Sequence, residues 1–210
     1  MPLQFWFDFA STYSYPAALR IEAVARAQGV EIEWHAFLLG PIFHAQGWND
    51  SPFNIYPAKG RYMWRDLERL CQSLEIPFRR PSVFPRNGTL AARIVTRFSG
   101  ADWIPDFVKN VYRANFADDR DIAAASVVAD CLQEMAIDAA PIIAAASAAE
   151  AKARFRAQTR RAIEQNIFGA PTFITNGELF WGNDRLEQAI QWHSRQHQHE
   201  LKQRELNSFD

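Results

Sequence analysis

Two stretches of aromatic and β-branched residues, Pro2–Phe9 and Val30–Phe37, bracket a segment from about Thr12 to Gln28 in which apolar positions recur at helical spacing. Strand, helix, strand in that order is a βαβ unit and predicts a parallel pair. From Lys59 to about Gln165 only helical periodicity is seen, punctuated by Pro77, Pro81, Pro85, Gly88, Gly100, Pro105 and Pro141. Ile122–Ala153 is rich in alanine and strongly helix-prone. Pattern changes again after Gly169-Ala170-Pro171: Thr172–Thr175 and Glu178–Trp181 read as strands joined by the Asn176-Gly177 turn, an antiparallel hairpin signal, and Asn183-Asp184 is placed to cap a final helix.

A sheet whose halves are separated by roughly 100 helical residues predicts an α/β protein, a thioredoxin-like fold with a large all-helical insertion. The expected boundaries are a discontinuous thioredoxin-like domain over 1–58 and 160–200, an inserted helical domain over 59–159, and a polar tail that frays over 201–210. With 210 residues, 48% of them hydrophobic, the chain suits one globular unit or a core with one insertion. Charges balance, 23 Lys and Arg against 24 Asp and Glu, so nothing points to nucleic acid. No apolar run approaches the roughly 20 residues that span a bilayer, and the N-terminus lacks a basic segment followed by an apolar one. These features set the expectation of a cytoplasmic protein. Cys71 and Cys131 lie far apart within helical patterns and are read as packed, inert thiols, not a disulfide.

The chemistry concentrates at Ser11-Thr12-Tyr13-Ser14, where the first strand runs into the first helix. A Cys-x-x-Cys dithiol at such a corner would make an oxidoreductase, but both sulfur positions are serine, so dithiol redox chemistry is not expected. What remains is a helix start whose N–H groups and dipole favour an anion, or a thiolate brought by another molecule. Ser11 alone also reads as the N-cap of that helix.

Four segments carry a family resemblance: Phe7-Asp8-Phe9-x-Ser11-x-Tyr13-Ser14-Tyr15; Pro57-Ala58-Lys59-Gly60-Arg61-Tyr62-Met63 with Asp66-Leu67; Phe168-Gly169-Ala170-Pro171-Thr172; and Trp181-Gly182-Asn183-Asp184-Arg185-Leu186. In this order and spacing they resemble the DsbA-like group that comprises 2-hydroxychromene-2-carboxylate isomerases and kappa-class glutathione transferases. The resemblance implies a homodimer that uses glutathione, with Ser11 donating to the glutathione thiolate. A thiol of pKa about 8.5 needs a drop of roughly 2 units, about 2.7 kcal/mol, to be mostly ionised at neutral pH. A hydrogen bond to a charged acceptor supplies roughly 1.5–3 kcal/mol and a helix N-terminus roughly 0.3–2. The resemblance also implies a cis Ala170–Pro171 bond, with Ala170 gripping the cysteinyl main chain. Asp184 and Asn183, with Trp181 and Gly182, would hold the γ-glutamyl end; the competing reading of Asn183 and Asp184 is a helix cap.

For the acceptor substrate, the resemblance implies an isomerase that adds the thiolate reversibly to a conjugated aromatic compound; a conjugating transferase and a non-catalytic glutathione or peptide binder are the alternatives. Where chromene isomerases place a lysine, then an asparagine-arginine pair, then a tyrosine, this chain has Phe43 beside His44, Asn54 with Ile55, and Arg86-Asn87. Asp50, flanked by Asn49, stands at the asparagine of the kappa class, and Lys59 matches both subgroups. Phe43, Asp50, Asn54 and Lys59 are the substrate-side candidates. Phe43, Trp48, Phe53, Tyr56 and Trp64 either line an acceptor pocket or belong to the core. Asp8 is read as orienting the corner or accepting a hydrogen bond from the helix start, with no part in proton transfer. His193, His197 and His199 are read as a solvated helix end, not a metal site, and Arg154, Arg156, Arg160 and Arg161 as a wet helical face.

Overall fold

The computed structural model describes the backbone of residues 1–207 and the side chains of residues 1–196. A four-stranded sheet runs β2-β1-β3-β4, from β1 (Leu3–Phe7), β2 (Ile32–Ala36), β3 (Thr172–Thr175) and β4 (Glu178–Trp181). β1 is parallel to β2, with Phe5 opposite Trp34, and antiparallel to β3, with Phe5 opposite Phe173; β3 and β4 form the expected hairpin. The parallel pair is joined by α1 (Ser14–Arg26), so the βαβ reading holds, with each element shorter at its ends than the pattern spans.

Period-two alternation along β1 places Phe5 and Phe7 in the main core and Trp6 in a second apolar cluster with Phe37, Ile42, Ala162 and Ile167. Both faces of β1 are therefore covered, which is why its sequence is almost continuously apolar. The main cluster joins sheet residues to Met63, Leu67, Ile94, Phe107, Val111 and Leu132 of the helical segment, so sheet and insertion share one core.

Three features differ from the pattern-based reading. The connection after β2, read as a loop, contains α2 (Leu39–Ala45) and α3 (Pro52–Ile55), and α4 begins at Pro57 (Pro57–Ser73). Proline at the first helical position and the Ser51 hydroxyl, which accepts from the Phe53 N–H, explain the start of α3. After α5 (Thr89–Arg97) and α6 (Ile104–Phe116), the alanine-rich stretch divides into α7 (Ala125–Gln133), α8 (Ala139–Ser147) and α9 (Ala149–Glu164). Ala136, at φ +58°, turns the chain and Asp138 caps α8, so local turn chemistry overrides alanine's propensity. Asn183 is not a side-chain cap: Asn183–Arg185 form a single 3₁₀ turn with no capping side chain, and α10 (Leu186–Asn207) follows. The tail expected to fray over 201–210 lies partly outside the described residues, since α10 continues to Asn207. Cys71 and Cys131 are free and buried, as read from their helical settings. No helix among the described residues is long and apolar enough to cross a membrane.

Candidate active site

The corner after β1 is fixed from several directions. The Asp8 carboxylate is buried and accepts from the Ala10 N–H at 2.9 Å and, at the start of α2, from the Leu39 N–H at 2.8 Å. Burial raises its pKa while the two N–H donors oppose the shift. Its carbonyl accepts from the Ser11 N–H and from the Tyr112 hydroxyl, both at 2.8 Å, and the Asn115 amide donates to the Phe9 carbonyl at 3.2 Å. Asp8 therefore orients the corner, as the sequence reading has it.

This scaffold aims one hydroxyl. Ser11 Oγ accepts from the Ser14 N–H, the first of α1, at 3.3 Å and donates to the Ala170 carbonyl at 2.9 Å. Ser11 is not the N-cap, which is Tyr13, but its oxygen still meets the first N–H of α1 while its one proton is directed at the Ala170 carbonyl. Of the other two aliphatic hydroxyls at the corner, that of Ser14 is fully buried, whereas Thr12 lines the cavity with Ser11.

The opposite wall is built by β4 and the residues flanking β3. The Ala170–Pro171 bond is cis, and the Pro171 carbonyl accepts from the Gly182 N–H at 2.9 Å. Gly182 has φ +113°, and a Cβ there would lie 2.4 Å from Asp184 Oδ1, so glycine lets the Asp184 carboxylate fold back over the chain. Asp184 is 73% exposed, its carboxylate 3.2 Å from Arg185. Asn183 is buried and held from behind by Arg20, which donates to its side-chain oxygen at 3.3 Å and its carbonyl at 3.1 Å and pairs with Glu187. Trp181 is 52% exposed and meets Phe168 edge to face at 5.0 Å. Gly169 permits this, since a Cβ there would lie 2.2 Å from the indole nitrogen.

The third wall comes from α2 to α4. Phe43, Trp48, Phe53 and Lys59 face the same cavity, of about 1100 Å³, as Ser11, Ala170, Trp181, Gly182, Asn183 and Asp184. That volume is slightly above the range of small-molecule sites, roughly 300–1,000 Å³, and leaves room for two ligands side by side. Lys59 Nζ lies 4.8 Å over the Tyr56 ring. The Tyr13 hydroxyl donates to Asp66 at 2.9 Å, and Asp66 accepts from Arg69 at 3.2 Å. Burial and the Asp66 carboxylate push the Tyr13 phenol well up, so it stays neutral. The lining charges are Lys59, Arg69 and Arg185 against Asp66 and Asp184.

Several candidates lie elsewhere. Pro171 is buried behind the cavity wall. Asn54 and Asp50 turn to each other, the amide donating to the carboxylate at 3.0 and 3.2 Å; Asp50 lines a smaller adjoining cavity and Asn54 lines neither. Trp64 is core, against Phe84, and Arg86 is buried in an ion pair with Asp119. His193 meets Thr175 at 2.8 Å, the side chains of His197 and His199 lie outside the described residues, and no metal-binding cluster occurs among those described. Arg154, Arg156, Arg160 and Arg161 are exposed on α9. The sequence reading gave Asp66 no role of its own and passed over Arg69 and Ser73, although their spacing from Lys59 places all three on one face of α4.

The chain matches the model of the DSBA-like thioredoxin domain over residues 2–191. It is 33% identical over 188 residues to 2-hydroxychromene-2-carboxylate isomerase of Pseudomonas sp. (strain C18), covering 88% of this chain and 86% of that protein. It is 28% identical over 207 residues to glutathione S-transferase kappa 2 of Caenorhabditis elegans, covering 89% and 88%. A solved structure of a 2-hydroxychromene-2-carboxylate isomerase superposes with a TM-score of 0.84 at 29% identity, covering 96% of this chain and 98% of that one. The chain is therefore an enzyme of the DSBA-like thioredoxin family, in the group of 2-hydroxychromene-2-carboxylate isomerases and kappa-class glutathione S-transferases.

Proposed function

We propose that the protein is a glutathione-dependent isomerase of conjugated aromatic compounds, a cytoplasmic homodimer acting in aromatic catabolism. The observation that carries this reading is the Ser11 hydroxyl, set between the start of α1 and the Ala170 carbonyl in a cavity lined by side chains of both charges. Glutathione has two carboxylates, one ammonium and one thiol; the carboxylates suit Lys59, Arg69 and Arg185, and the ammonium suits Asp184. When bound, it supplies a thiolate that adds to a conjugated carbon and then leaves, so the double bond is single while rotation occurs and nothing is consumed.

Ser11 does its part by changing partner. Its hydroxyl, which now donates to the Ala170 carbonyl, turns to the sulfur; a hydrogen bond between neutral groups, about 0.5–1.5 kcal/mol, gives way to one to a charged acceptor, about 1.5–3. The freed Ala170 carbonyl accepts from a main-chain N–H of the ligand. Gly182, Asn183 and Trp181 shape the γ-glutamyl end, with Arg20 holding Asn183 in place. Phe43 faces the acceptor side of the cavity, whereas Lys59, a substrate-side candidate in the sequence, serves a glutathione carboxylate in this reading; Asp50, paired with Asn54, borders the acceptor side.

Titration of glutathione into the purified protein, read by calorimetry and by ultraviolet thiolate absorbance, tests this. Saturable binding with a thiolate signal at neutral pH is expected; no binding at millimolar glutathione overturns it. Product analysis with a cis-enone then separates isomerisation from release of a conjugate, the outcome that the kappa-class likeness favours.

A further inference from the structure

A second cavity of about 330 Å³ opens beside the first, and the two share Ala10, Phe43, Trp48, Ser51 and Phe84. Three of these are aromatic. Phe43 and Trp48 meet at 5.7 Å and 54°, and Phe84 is set edge-on against the buried Trp64 at 4.9 Å, so the dividing wall is mainly aromatic and braced from behind. Such a wall takes a planar ring.

The charges of the two cavities differ. Lys59, Arg69 and Arg185 all line the larger one, and no lysine or arginine lines the smaller. The smaller cavity instead presents Asp8 and Asp50, with His44 and Asn49. The oxygens of Asp8 each accept a backbone N–H, from Ala10 and Leu39. In Asp50, Oδ1 accepts from the Ser51 N–H and Asn54, whereas Oδ2 accepts only from Asn54, at 3.0 Å. Oδ2 retains lone-pair capacity for a further donor. A carboxylate placed here would face two acidic side chains with no lysine or arginine beside them, an unfavourable like-charge contact. A hydroxyl would find an acceptor.

We propose that this smaller chamber is the acceptor subsite and that it takes an uncharged, planar conjugated aromatic bearing a hydroxyl, and rejects an aromatic carboxylate. The proposal rests on the glutathione reading, because it assigns the cations of the larger cavity to glutathione and leaves the acceptor the aromatic wall and Asp50.

The test uses the full chain saturated with glutathione and two probes matched in size, para-hydroxybenzylideneacetone and para-carboxybenzylideneacetone. Binding is followed by quenching of tryptophan fluorescence, to which Trp48 in the dividing wall contributes. The hydroxyl probe is expected to bind at least about tenfold more tightly. Asp50→Asn should reduce that preference several-fold, and Phe43→Lys, which adds a cation to the wall, should reverse it; in Asp50→Asn the glutathione titration should be unchanged. Equal affinities, a preference for the carboxylate, or binding of neither probe while glutathione binds normally overturns the acceptor assignment and leaves the glutathione reading standing. Failure of glutathione itself to bind overturns both.

Discussion

Ser11 Oγ and the Ala170 carbonyl are 2.9 Å apart across 159 residues of sequence, and that bond joins the start of α1 to the residue two before β3. Neither residue is unusual by itself. Together they place a hydroxyl proton and a main-chain acceptor side by side on the wall of a large cavity, each able to serve a ligand once it releases the other.

Ser11→Ala removes the donor and leaves the cavity in place. The pKa of bound glutathione is expected to rise by about 1–2 units, the equivalent of roughly 1.5–3 kcal/mol. At neutral pH kcat/KM should fall roughly 10–100-fold and recover as pH rises, since hydroxide then ionises the thiol without help. A thiolate absorbance titration identical to that of the unaltered protein would remove Ser11 from the chemistry.

Asp184→Asn tests the γ-glutamyl end. Its carboxylate is 73% exposed, so screening limits the effect to about 1 kcal/mol, roughly a fivefold weaker glutathione affinity, shrinking with added salt. Des-amino glutathione should bind both proteins equally. Calorimetry at low and high salt checks this, and a full-sized loss with the des-amino ligand would show that Asp184 does not meet the ammonium.

Gly182→Ala forces a side chain into a left-handed backbone position, φ +113°, and against Asp184 Oδ1. Strain of order 1–3 kcal/mol is expected in thermal unfolding, together with weakened glutathione binding as Asp184 is displaced. Gly47→Ala is the control: its φ is +83° but a Cβ there meets nothing within 4 Å, so it should destabilise without touching the glutathione site.

Acid stability should depend on Asp119. The Ser82 N–H and the Arg86 guanidinium hold its carboxyl down to about 2, from an ordinary 3.8. A depressed carboxyl contributes stability that is complete above its unfolded value and is lost as pH falls through the folded one. Urea unfolding should therefore weaken between pH about 4 and about 2, and Asp119→Asn should be less stable at neutral pH with a flatter acid limb. Parallel curves for the two proteins would refute the pairing.

The two cysteines should be silent. Burial pushes the Cys71 thiol up to about 12 and that of Cys131 up to about 11. At pH 8 iodoacetamide should label neither in the native protein and both in denaturant, as mass spectrometry would read; rapid native labelling would place a reactive thiol where none is expected.

Much of this was legible in the chain itself because the signals are local. The aromatic and β-branched stretch through Leu3–Phe7, the Asn176-Gly177 turn and the serine pair at the corner each rest on neighbouring residues. They determined the sheet and its hairpin, and excluded a dithiol site. Local signals were weaker where the chain is short of periods: α2 and α3 are too brief to show one.

Tertiary structure alone decided which candidates share a cavity. Lys59, Phe43 and Asp184 come together there, while Asn54 is turned to Asp50 and Arg86 to Asp119, because each polar group took the nearest partner that burial and chain path offered. The face of α4 that carries Asp66 and Arg69 acquired a meaning only once Tyr13 was folded against it. Sequence sets the periods, turns and chemical inventory, which are properties of adjacent residues; pairings such as Ser11 with Ala170 depend on distances that exist only after long-range packing closes the chain.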